Sequence, residues 1–306
     1  MNTEPSFSRK LAARIISSFV WNREARHALR DAMLGDYKNE IRILKSRISE
    51  MEEVLKRSAC QIPLPPLSGS KKGCAYSIEG RNNRVILIEE NGKNRLLGRD
   101  ERVPGLEISI CGDDNEIRIH RPCRLDRNTI QIGEISSHSC NNGVRIEICE
   151  GSTLYGVYLR CISGEKQIFR LGNGSKIWGA EIMLDEISGC VIGDDCECSN
   201  HIHIWGSDGH AILDKNDPSK ILNEVEGPIV VGDHTWIGQS VRLQKNARIP
   251  PNTIIAAGSI VTKAFEEEYT ILAGVPAKVI KRGVMREPKT LSAYLLKKTL
   301  PQLKIS

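Results

Sequence analysis

Between Val231 and Val261 an aliphatic residue recurs at every sixth position: Val231, Ile237, Leu243, Ile249, Ile255 and Val261. Four places after five of these stands a small or β-branched residue: Thr235, Val241, Ala247, Thr253 and Ser259. After the sixth comes Phe265. A helix repeats every 3.6 residues and a half-buried strand every two, so neither produces this register. A coil with three short sides does, because each aliphatic then points inward at the same place on its side. Such coils bury their apolar face only by stacking, and a hexapeptide period is the sign of a β-helix.

Composition agrees. In 306 residues aromatics make up 5%, which suits a narrow interior better than a sandwich core. The net charge of +5 is small for this length, and no Lys/Arg stripe interleaved with aromatics points to nucleic acid. No apolar run approaches the ~20 residues of a membrane span, and the N-terminus has no clean apolar core of a signal peptide. The ten cysteines follow no disulfide framework, so reduced thiols filling small solenoid positions are expected.

The chain divides by period. Residues 1–60 read as helix, with a heptad seam at Leu34, Tyr37, Ile41, Leu44, Ile48, Met51 and Leu55, and with Arg47 and Glu52 flanking it. That flanking is similar to a motif of three-stranded coiled coils, while a stripe packing on its own subunit is the alternative. Leu11 to Trp21 is amphipathic and fits a docking helix, a partner or a membrane surface. Residues 61–73 are a Pro-rich linker. Residues 74–282 carry the solenoid, with 74–190 as irregular coils or a separate small β domain. The register breaks between Gly209 and Gly227, where a polar, turn-rich stretch can be ejected as a loop. The regular coil is expected to end at Val261, and residues 283–306 form a tail with a short helix near 290–299.

The stretch GDHTWIGQSVRLQKNARIPPNTIIAAGSIVTK, followed by AGVPAKVIK, closely resembles the hexapeptide acyltransferases. The resemblance is strong over about 200–282 and weak before it. It implies an all-β fold, a left-handed parallel β-helix, in a homotrimer that uses acetyl-CoA as co-substrate. The segment IWGSDGHAILD looks like the branch that O-acetylates capsular or lipopolysaccharide sugars. It is also similar to the motif carrying the catalytic histidine of galactoside acetyltransferases.

His210 is therefore the expected general base. An alcohol is a poor nucleophile until its proton is removed, and imidazole, with an ordinary pKa near 6.5, suits that task at pH 7. Asp208 and Asp214 are candidates to orient its ring or bind sugar hydroxyls, with turn capping as the other reading of each. His234 is a candidate substrate contact. Trp236, outward beside inward Ile237, fits an acyl-pantetheine wall or a subunit interface. By resemblance to the galactoside enzymes, acetyl-CoA contacts fall on Gln239, Ala257, Thr262, Lys263, Lys278 and Lys281. The run Ala256-Ala257-Gly258 would leave backbone amides free for the pantetheine arm. Two of the matched basic positions are Lys here and Arg in those relatives, which keeps the charge and loses bidentate geometry. Cys196, Cys198, His201 and His203 form a C-x-C-x2-H-x-H string, but neighbours on a strand point to opposite faces, so no metal site is expected.

The resulting expectation is an acetyl-CoA-dependent O-acetyltransferase acting on a sugar hydroxyl of a cell-surface polysaccharide or its precursor. The alternatives are N-acetylation of an amino sugar nucleotide, a γ-type carbonic anhydrase (against which the AGVPAKVIK tail argues), and a non-catalytic scaffold of a polysaccharide assembly. A cytoplasmic place is expected, with a peripheral one at the inner membrane if residues 1–60 bind a membrane surface or an assembly partner.

Overall fold

The structure is a computed structural model that describes residues 76–98, 101–135, 139–186 and 188–288. The chain divides into two units, and the described residues belong to the second, Lys72–Ser306. The heptad seam, the Pro-rich linker, the amphipathic stretch and the helix near 290–299 all lie outside the described residues.

Those residues form three eight-stranded sheets, and from Leu106–Cys111 to Ile260–Val261 the chain passes from one to the next in fixed rotation. We call them faces A, B and C. One turn of the coil runs from Ile229–Val231 on face B to Trp236–Ile237 on face C, then to Arg242–Gln244 on face A and back to Arg248–Ile249 on face B. The fold is a left-handed parallel β-helix. Nearly every pairing is parallel. One exception is the edge strand Asn94–Leu96 against Arg84–Ile88, and the other is the closing hairpin.

The six-residue register becomes three columns of stacked aliphatics. Ile182, Ile204, Leu243 and Val261 stack on face A, Ile192, Val231 and Ile249 on face B, and Cys198, Ile237, Ile255 and Leu272 on face C. All are 2% exposed or less. Parallel in-register stacking puts like on like about 4.8 Å apart, so each coil supplies its neighbour's missing apolar surface. The small residues four places on, Thr235, Val241, Ala247, Thr253 and Ser259, are buried at the corners. Phe265 is partly buried against the same core.

The corners also explain a second six-residue series. His234, Ser240, Asn246, Asn252 and Gly258 have φ of 57°, 57°, 63°, 56° and 74°. Each side must turn sharply through the left-handed region, which Gly and Asn enter most readily. The cost at His234 and Ser240 is offset by the stacking on both sides.

The earlier coils share these sheets. Strands from Tyr76–Glu79 to Ile202–Trp205 run in register with the regular ones. Their irregularity lies in longer corners and in polar ladders on the outside. On face B, Glu116 is buried between Arg118 Nε at 2.7 Å and Arg84 Nη2 at 2.6 Å, and Glu147 contacts His120 and Arg170. Of the described cysteines, Cys111, Cys149, Cys161, Cys190, Cys196 and Cys198 are buried, and none is in a disulfide.

The coil does not end at Val261. One more side follows on face C: Thr270–Gly274 pairs in parallel with Ile254–Ile255 and buries Leu272. The chain then reverses, and Ala277–Arg282 closes the sheet antiparallel to it. AGVPAKVIK is thus a closing hairpin.

Candidate active site

Successive coils bring the candidate residues to three corners. At the A–B corner the chain leaves the coil after Ile202–Trp205 and returns at Ile229–Val231, and the ejected loop holds His210. The loop is folded. Leu213 and Ile221 form an antiparallel bridge, Leu222 N–H donates to Ile212 O at 2.7 Å, and Asp214 N–H donates to Lys220 O at 3.0 Å.

Two residues that sequence reading passed over anchor this loop. Lys245, on the next coil, donates from Nζ to Asp208 Oδ2 at 2.8 Å and to Asn223 O at 2.8 Å. Asn223 Nδ2 donates to Asp208 Oδ2 at 2.8 Å and to the His210 carbonyl at 2.9 Å, while its Oδ1 accepts from Ile212 N–H. The hydrogen bonds from Lys245 and Asn223 hold the Asp208 carboxyl below the usual carboxylate range. Their signal in the sequence was a Lys and an Asn where the coil rejoins its register, which is too common a pattern to single out.

Asp208 therefore clamps the loop base. Asp214 turns the loop tip, accepting the Asn216 N–H at 2.8 Å. Among the described residues neither carboxylate is hydrogen-bonded to the His210 ring, which is exposed to solvent. Thr262 and Lys263 follow the strand Ile260–Val261 and lie at this same A–B corner, further along the stack, with Lys263 Nζ 5.5 Å from the Phe265 ring centroid.

The C–A corner gathers a second group. Gln239, Ala257 and Gly258 are exposed there on adjacent coils, and the hairpin turn stacks above them through Gly274 N–H to Ser259 Oγ at 3.2 Å. Gly238 lets these coils close up, since a Cβ there would meet Ala257 N at 2.7 Å. The expectation that the run Ala256-Ala257-Gly258 leaves backbone amides free holds for one of the three. Ala256 N–H donates to Leu272 O at 2.9 Å and Gly258 N–H to Gln239 O at 2.8 Å. The Ala257 N–H makes no hydrogen bond among the described residues, so of these three it is the one left for a ligand.

Lys278 and Lys281 lie on the closing strand. Three residues apart, they would face opposite ways on a regular strand. The register shifts between Ile271 and Leu272, so that Lys278 pairs with Ala273 and Lys281 with Ile271, both outward positions flanking inward Leu272. This bulge puts both ammonium groups on the outside of face C.

Trp236 also faces out from face C, 42% exposed, between Glu197 and Ile254 in register. Trp178 donates its indole N–H to Glu197 at 3.1 Å nearby. His234 lies at the B–C corner, where its Nδ1 is 3.3 Å from Asp195 Oδ2. Cys196 and Cys198 point inward, while His203 points outward from face A, 3.4 Å from Glu181.

The chain thus has His210, Thr262 and Lys263 along one edge of face A, and Gln239, Ala257 and Gly258 along the other. The closing lysines and Trp236 lie around the second edge, on face C. What the arrangement offers chemically is an exposed imidazole on a clamped loop, an amide without a partner at an open corner, and two lysines on the same outer face as an indole, three strands away from it.

No family model matches the chain. Its relatives in sequence are acetyltransferases of the hexapeptide-repeat family. The chain is 43% identical over 54 residues to the galactoside O-acetyltransferase of Escherichia coli K12, covering 18% of this chain and 26% of that one. It is 27% identical over 107 residues to WbbJ of the same organism, named as an O-acetyltransferase of lipopolysaccharide biosynthesis, covering 33% of this chain and 54% of the relative. The matches thus span between about a quarter and about half of these relatives' length. In fold, the chain is similar to the polysialic acid O-acetyltransferase OatWY, with a TM-score of 0.60 and 20% identity over 74% of this chain and 99% of that one.

Proposed function

We propose, from the premise that its relatives are hexapeptide-repeat acetyltransferases, that this chain is itself an acetyltransferase. It would move the acetyl group of acetyl-CoA to a hydroxyl of a cell-surface polysaccharide or its precursor. The observation that carries the reading is the ejected loop: an exposed His210 on a segment clamped by Asp208, Asn223 and Lys245, in a coil with the family's repeat. Two relatives support the substrate class, since their names refer to a galactoside and to lipopolysaccharide.

In this reading the His210 imidazole takes the proton of the sugar hydroxyl as its oxygen attacks the thioester carbonyl; the tetrahedral adduct then collapses, the C–S bond breaks, and the imidazolium gives the proton to the departing CoA thiolate. The Ala257 N–H hydrogen-bonds the pantetheine arm, and Trp236 walls it from water. Lys278 and Lys281 meet phosphates as point charges, with Gln239, Thr262 and Lys263 completing the contacts. His234 and Asp214 are further candidates for contact with the acceptor.

The division of these residues between the two edges of face A supports a homotrimer. The loop edge of one subunit and the C–A edge of the next would together make each site. A cytoplasmic place, or a peripheral one at the inner membrane, follows from the need for acetyl-CoA.

The test is transfer of labelled acetyl from acetyl-CoA to matched saccharides that carry either free hydroxyls or a free amine. Label on a hydroxyl, lost in His210→Ala, is expected. Label on the amine alone would replace O-acetylation with N-acetylation, and no CoA binding would leave a scaffold.

A further inference from the structure

Toward the N-terminal end of the coil, on the same A–B edge several coils before His210, two thiols face each other. Cys111 ends the strand Leu106–Cys111 on face A, and Cys140 lies at the same A–B corner one coil later. Their Sγ atoms are 3.3 Å apart. The backbones are stacked directly: Asn141 N–H donates to Cys111 O at 2.9 Å, and a Cβ on Gly112 would strike Asn141 O. Coil-to-coil stacking of about 4.8 Å falls inside the Cα separation of about 4.4–6.8 Å that a disulfide spans. Gly133 keeps the space open, since a Cβ there would come within 3.1 Å of the Cys111 Cβ.

We infer that Cys111 and Cys140 form a reversible oxidation site, closed to a disulfide between adjacent coils by a peroxide. The roles follow from exposure. Cys140 is exposed and can meet the oxidant, whereas Cys111 is 3% exposed. Burial, and then the neighbouring Cys140, push the Cys111 thiol up to about 11, so it stays protonated at neutral pH. Cys140 thiolate attacks one peroxide oxygen, the O–O bond breaks, and Cys140 becomes a sulfenic acid as hydroxide leaves and is protonated. Cys111 sulfur then attacks Cys140 sulfur, the S–O bond breaks, and the Cys111 proton leaves with that oxygen as water. Two thiols and one hydrogen peroxide give one disulfide and two waters. The other buried cysteines have no access to the oxidant, which separates this pair from them.

The experiment uses the full chain with all thiols reduced, exposed to a small molar excess of hydrogen peroxide, alkylated, digested and mapped by mass spectrometry. A linked pair of peptides containing Cys111 and Cys140 should appear, lighter by two hydrogens than the reduced pair and restored by a dithiol. It should form roughly tenfold or more faster than any oxidation of Cys161 or Cys190, in keeping with access. Cys140→Ser, an exposed and conservative change, should abolish the link without altering the circular dichroism. Cys111→Ala should leave Cys140 as a sulfenic acid trapped by dimedone. Disulfides between molecules through Cys140, a Cys140 sulfenic acid that persists in the unaltered protein, or oxidation elsewhere while this pair stays reduced would each overturn the inference.

Discussion

At the residue scale, His210 and Asp208 are two positions apart and do different work. His210→Ala removes an exposed side chain that the clamp does not use, since Asn223 holds only its carbonyl. Turnover should fall by roughly 10²–10⁴, the usual scale for a positioned base, with CoA binding near that of the unaltered protein. Steady-state kinetics with a saccharide acceptor checks this, and retention of more than a tenth of the activity would remove His210 from the role. Asp208→Asn keeps the shape and removes the charge that Lys245 and Asn223 hold. Because the folded carboxyl sits below its ordinary range, its contribution is present above the unfolded pKa, about 3.9, and is lost as pH falls through the lower folded value. The unaltered loop should therefore resist proteolysis at pH 6 and become more readily cut below pH 4. The Asn variant should lack that clamp at both pH values, and equal cleavage of the two proteins at pH 6 would deny the clamp.

At the scale of the element, the closing hairpin and a single side of the coil make separate predictions. Lys278→Ala with Lys281→Ala should raise KM for acetyl-CoA far more than it changes kcat, because phosphates lie remote from the reacting carbonyl and their contacts are mostly uniform binding. An unchanged KM would place the CoA tail elsewhere. Ile237 is fully buried in the face C column between Cys198 and Ile255. Ile237→Ala should cost about 2–5 kcal/mol, as large-to-small core changes do, because parallel in-register coils have no slack with which to fill the gap. Urea unfolding followed by circular dichroism measures it, and a loss below about 1 kcal/mol would mean the coil collapses onto the cavity. Part of the hairpin was hidden from sequence. A spacing of three between the lysines reads as opposite faces, and only the bulge reverses that.

For the whole molecule, the proposed site is divided between His210 and the C–A corner, the width of face A apart, so that on this reading one subunit alone would hold an incomplete site. Activity should therefore track assembly. If the chain assembles as proposed, sedimentation and specific activity should fall together across a dilution series, and full activity from a demonstrated monomer would remove the shared site. Removing residues 1–60 should leave a folded solenoid that dissociates at higher concentration, if that seam raises the local concentration of subunits.

The register of Val231 to Val261 determined the solenoid from sequence alone. A period of six admits one solution to burying every aliphatic, and no distant contact is needed to choose it. The loop was legible for the same reason, as the place where that period fails. The early coils were less so, because Asn115, Asn128 and Asn141 are buried inside them, replacing aliphatics with side chains that hydrogen-bond to neighbouring backbone. Only the tertiary structure decided what Asp208 holds, which of three amides at the C–A corner is unused, and that Cys111 meets Cys140. Each of those depends on which residue of one coil lies over which residue of the next. Stacking sets that match through corner lengths that vary along the chain, and a spacing in sequence does not encode it.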